Sequence, residues 1–139
     1  MNAVRAQREP ISYRPDLADF ERGNIDPSLF DHAAHVYVGW LYLQERELPE
    51  ASAQFTVALR HLTRQLGVPG KYHETISCFF MIVIAERSRA AAASDWASFE
   101  AENTDLVNDA GTLLKQYYSS TRLALPLARE QFLLPDLVP

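Results

Sequence analysis

From residue 30 to residue 43 the chain reads FDHAAHVYVGWLYL, and beyond Asp31 this stretch is apolar except at His32 and His35. At about 100° per residue, Ala33, Ala34, Val36, Tyr37, Val38, Trp40, Leu41 and Leu43 cover nearly the whole circumference, which predicts a helix surrounded by other helices. Asp26-Pro27 supplies a capping acceptor and a proline preset for a first turn, and Ser28 with Asp31 a second capping arrangement, so the helix is expected to start there and run to about Arg46. Pro49 opens a second helix, whose Ala51, Phe55, Ala58, Leu59, Leu62 and Leu66 share one stripe. Gly67 and Pro69-Gly70 end it in a turn.

A third helix is expected from Lys71 or Tyr72 to about Ala92, apolar all round in its middle. Ser94 and Asp95 cap a short helix with Trp96 and Phe99, and Leu113, Leu114, Tyr117 and Tyr118 mark another. Pro126 marks a kink or a new start, with Leu127, Ala128 and Phe132 inward, and the tail from Pro135 to Pro139 is extended. No stretch alternates with period two for long enough to form a strand. The fold class is therefore all-α: a compact bundle whose first three helices run up, down, up, with shorter C-terminal helices. Residues 1–25, polar and broken by Pro10 and Pro15, form an extended arm anchored by Ile11, Tyr13, Leu17 and Phe20, and residues 26–139 form the single domain.

The length, 139 residues, is that of one domain. A net charge of -5 with scattered Lys and Arg argues against nucleic acid, whose binding needs clustered cations. The longest apolar run, Cys78 to Ala85, is far short of the roughly 20 residues of a membrane span. Cys78 is the only cysteine, so a reducing compartment fits best, and the N-terminus does not read as a signal peptide; the protein is expected in the cytoplasm.

Connections as short as those near Leu48-Pro49 and Gly67–Gly70 make helices antiparallel neighbours. His32 and His35 then lie early in the first long helix, His61 late in the second and His73 at the start of the third, so all four histidines fall at one end of the bundle. Spaced three apart, His32 and His35 can reach one ligand. His61, beside Arg60 and Arg64, is expected to be solvated. One reading takes His32, His35 and His73, with Glu74 or Asp31, as ligands of a divalent metal, zinc or iron, keeping a position open for water. The other is metal-free acid–base chemistry by His73, Glu74 and Tyr72 on a small anionic molecule drawn to the paired helix N-termini, with Tyr72 or Tyr42 donating a hydrogen bond. Glu86 lies about 20 Å along the helix from His73, outside that site, and is expected to pair with Arg122 or Arg129. Cys78 reads as a core residue rather than a nucleophile.

The spacing of Gly39, Tyr42, Ala51, Phe55 and Ala58 resembles one tetratricopeptide-type helical hairpin, over about residues 35–63. The whole chain also resembles a family of short bacterial helical proteins with an H-x-x-H helix (His32 to His35), a KYHET segment (Lys71 to Thr75) and an AR-x-x-F-x-x-PDL ending (Ala128 to Leu137), a resemblance that implies no particular activity. The hairpin resemblance implies a non-enzymatic interaction or accessory module that presents a groove to a peptide or subunit. The function classes are thus a histidine-lined enzyme or binding site for a small molecule, or that module. The apolar faces of the first and third helices also make a homodimer or a protein partner an expectation.

Overall fold

Short polar side chains decide where four of the helices begin. Asp16, Asp31, Asp95 and Ser119 each accept the backbone N–H three residues on, at 2.8 to 3.0 Å, and each precedes a helix. In this computed structural model, which describes residues 13–90 and 95–137, the helices are α1 (Leu17–Arg22), α2 (His32–Glu45), α3 (Leu48–Gln65), α4 (Glu74–Ala90), α5 (Trp96–Glu102), α6 (Thr104–Asn108), α7 (Ala110–Lys115), α8 (Ser120–Leu123) and α9 (Pro126–Glu130). No strand occurs among the described residues, and the architecture is an all-α bundle. No helix there is long and apolar enough to cross a membrane.

The three long helices α2, α3 and α4 pack on one another. Two starts fall later than the sequence suggests. The Asp26 carboxylate accepts from the N–H and hydroxyl of Ser28 in a turn, which leaves Asp31 to cap α2. Pro69–Lys71 forms a 3-10 turn with Tyr72 extended behind it, so α4 begins at Glu74. The residues expected to finish that helix, 91 and 92, lie outside the described residues, as do residues 1–12 with Ile11 of the arm.

The segment before residue 26 is not wholly extended. Asp16 caps α1, Gly23 ends it at φ 76°, and Phe20 is fully buried, stacked on Phe55 at 5.6 Å with Tyr42 edge-on at 6.3 Å. Gly39 is buried in α2 against α4: a Cβ there would meet Met81 Sδ at 2.9 Å and Ile84 Cδ1 at 3.1 Å. The other end of the core is aromatic, with Trp40, Trp96 and Phe99 within 6.3 Å of one another by ring centroids.

The C-terminal segment is clipped to the start of α4. The buried Thr75 hydroxyl lies 2.7 Å from the carbonyl of Ala128 and 3.0 Å from that of Gln131, and accepts the Leu133 N–H at 3.2 Å. Arg129 donates to the carbonyls of Gly70 and Tyr72 at 2.5 and 3.0 Å, and Arg122 to that of Leu134 at 3.1 Å. Neither arginine pairs with Glu86, which is exposed. Ala128 is buried as expected, but Leu127 is 48% exposed: in a helix of one turn only one side can face α4.

Thr75→Val keeps the shape and removes the hydroxyl, leaving a buried carbonyl and the Leu133 N–H without their partner. Chemical unfolding should show a loss of about 2–3 kcal/mol, because orphaned buried polar groups cost about 1–3 kcal/mol.

Candidate functional site

Between the first turns of α2, the last turns of α3 and the first turns of α4 lies a cavity of about 590 Å³. Val36, Phe55, Leu59, Leu62, Met81 and Ile84, all buried, form its depth. Pro27, Leu66 and Lys71, all exposed, stand at its mouth. His32, His35, Tyr72 and His73 line it as well, so the antiparallel arrangement does bring these residues to one end. His61 is exposed and lines a separate depression with Glu21 and Arg64.

Three imidazoles share the wall, and each directs one ring nitrogen at a main-chain carbonyl. His32 Nε2 lies 3.1 Å from the carbonyl oxygen of Leu106 in α6, His35 Nδ1 2.7 Å from that of Asp31, and His73 Nε2 2.9 Å from that of Leu123 in α8. A carbonyl only accepts, so each of these nitrogens carries the proton and the other nitrogen of each neutral ring holds a lone pair. In His73 that lone pair accepts the Ile76 N–H at 3.3 Å, capping α4 and using both nitrogens. Nδ1 of His32 and Nε2 of His35 have no partner among the described residues.

His35 is enclosed by protein yet keeps surface toward the cavity, with its ring stacked on Phe30 at 4.2 Å. Burial disfavours the imidazolium and holds its pKa down to about 4, against smaller upward effects from the Asp31 carbonyl and carboxylate. The His32 pKa is lowered by the same desolvation, opposed by the Leu106 carbonyl and Asp31. Its ring meets Phe80 edge-on at 4.9 Å.

Tyr72 and Glu74 form a different group, turned to α3. The Tyr72 hydroxyl donates to the Glu74 carboxylate, and Arg60 reaches the same oxygen at 3.3 Å with its guanidinium 5.4 Å from the Tyr72 ring. The Cys78 thiol lies 3.5 Å from the other Glu74 oxygen. Desolvation first, then the adjacent carboxylate, pushes the Tyr72 phenol above its ordinary range and the Cys78 thiol up to about 11, which leaves the thiol unreactive. Glu74 does not line the cavity. Tyr42, the other expected donor, gives its hydroxyl to Glu21 at 2.7 Å.

Most of the polar atoms in the two expected constellations are engaged within the protein. Of His73, Glu74 and Tyr72, the first is engaged at both nitrogens and the other two with each other, while Arg60 joins Glu74 across the α3–α4 contact. His32, His35 and His73 retain two lone pairs among them, and no group of three or more His, Cys, Asp or Glu placed to hold a metal ion occurs among the described residues. The sequence reading missed the depth of the cavity, since Leu59, Leu62, Met81 and Ile84 carry the same apolar spacing whether they meet a neighbour or a void. It also missed Phe30, whose place directly before the Asp31 cap was the available signal. Compared with known protein families, curated proteins and solved structures, the chain matches none.

The folded-state pKa of His35 lies below its unfolded value, so between pH 6.5 and about 4 the unfolded chain takes up a proton that the folded one refuses. Stability is retained above that window and lost as pH falls through it. Urea melts should show this residue contributing a loss of about 2–3 kcal/mol between about pH 7 and pH 4.5, and His35→Phe should remove that part of the slope, leaving the shallower share of His32.

Proposed function

We propose that this protein binds one small, mainly apolar molecule in the cavity between α2, α3 and α4, at the histidine-bearing end of the bundle. The observation that carries the reading is an apolar recess of about 590 Å³ with an unpartnered imidazole nitrogen in its wall. Binding sites for small molecules are commonly clefts of about 300–1,000 Å³, apolar in most of their lining and fitted with a few fixed polar groups. Binding explains the wall better than proton transfer does. A general base works best with a pKa near the operating pH, and His35 at about 4 is a weak one. The single thiol, Cys78, fits a reducing compartment, and the reading locates the protein in the cytoplasm on that ground.

N-phenyl-1-naphthylamine, a neutral dye that brightens in apolar surroundings, should bind one to one. At tenfold its Kd it should raise stability by about 1.4 kcal/mol. Met81→Trp places a larger ring in the floor and should reduce dye binding at least tenfold while the circular dichroism spectrum stays that of the parent. Equal dye binding by parent and variant would remove the cavity as the site.

A further inference from the structure

The hydrogen-bond inventory of the cavity wall is lopsided. The N–H of His35 goes to the Asp31 carbonyl, that of His32 to Leu106 and that of His73 to Leu123. The Tyr72 hydroxyl goes to Glu74 and the Thr63 hydroxyl to the Arg60 carbonyl at 3.0 Å. Every one of these donors is thus committed to the protein, and Lys71 offers its ammonium only at the exposed mouth. Besides the Ser77 hydroxyl, which can donate or accept, what the wall leaves open are two acceptors, Nε2 of His35 and Nδ1 of His32.

A carboxylate or phosphate entering this space finds one neutral hydroxyl, Ser77, against the two imidazole lone pairs, with Asp31 in the same lining, too few donors to replace its water. An ammonium would lose its water to a mainly apolar wall. An uncharged group bearing O–H or N–H meets a fixed acceptor, while an apolar frame fills the depth between Phe55, Leu59, Met81 and Phe80. The Asp31 carbonyl and the stack on Phe30 fix the His35 ring on two sides, so the acceptor is oriented before a ligand arrives.

Resting on the cavity being a binding site, we propose that its ligand is an uncharged molecule that donates a hydroxyl or ring N–H hydrogen bond to Nε2 of His35, and that carboxylates of the same shape are rejected. This reverses the anionic ligand that the paired helix N-termini suggested. The first turn of α4 is capped by His73 itself and that of α2 by Asp31, so two of the amides that would receive an anion are already occupied.

Three probes of one shape test it: 4-propylphenol, 4-propyltoluene and 4-propylbenzoate, titrated into the full chain near pH 7 by calorimetry. The phenol should bind about tenfold more tightly than the toluene, the worth of one hydrogen bond to a desolvated acceptor, and the benzoate more weakly than either. In His35→Phe the advantage of the phenol should disappear while the toluene binds at least as well. Should that variant misfold, the parent labelled with ¹⁵N-histidine decides: the His35 Nε2 resonance should move upfield with the phenol and stay in place with the toluene. Equal affinity of phenol and toluene, or preference for the benzoate, would overturn the ligand class and leave the cavity as a binding site. Failure of all three to bind would overturn the binding reading itself.

Discussion

A neutral imidazole carries one N–H and one lone pair, and burying it obliges the surrounding chain to answer both. This constraint shapes the histidine-bearing end of the bundle. His32 and His73 send their N–H groups to carbonyls of α6 and α8, helices so short that most of their carbonyls have no partner of their own. The long helices thereby gain ties to the C-terminal segment, and the short helices gain the donors they lack. His35 differs because its N–H turns back on Asp31 within its own helix, so its remaining nitrogen is left on the cavity side without a structural task.

The start of α4 gathers the same kind of bond. His73, Thr75 and Arg129 tie it to segments 50 or more residues away in the chain, each through a side chain bonded to a main-chain carbonyl. Side-chain groups meeting main-chain acceptors at this separation add stability only once both segments are docked, since the loop between them must first be closed. The Arg60–Glu74–Tyr72 group then joins the same turn to α3, so the beginning of α4 is held on two sides by polar contacts and on the third by the cavity's apolar wall.

The long helices were legible because their periodic apolar residues state both helix and buried face, and Gly67 and Pro69 mark the turn between the second and third of them. Helix starts were less so: Asp26 and Asp31 are equivalent as letters, and only the Ser28 contacts decide which one caps. The short helix α1 was hidden in a polar, proline-broken stretch, where Phe20 stood out only as an anchor. For the site, helix order correctly brought His32, His35 and His73 to one end. What it could not supply was ring orientation, because the carbonyls that take their protons come from α6 and α8, 74 and 50 residues further along the chain. Glu74 parts from His73 for a related reason: His73 faces the cavity, and one residue further on, about 100° around, a side chain faces α3 instead.

An apolar recess of this size tends to collapse unless its walls are held apart, because unfilled space loses dispersion contacts and costs stability. Here the restraints lie outside the recess. Under its floor Gly39 brings α2 against Met81 and Ile84, so the contact between α2 and α4 is already made and closing the mouth would require pivoting about it. On the α3 side, Phe55 is held from behind by Phe20 and Tyr42, and cannot move inward without leaving that stack. At the mouth, His73 and Thr75 tie the first turn of α4 to the C-terminal segment, away from α2. Closing the space by moving any of these walls therefore breaks aromatic packing or buried hydrogen bonds, and the recess persists because each wall is anchored from behind.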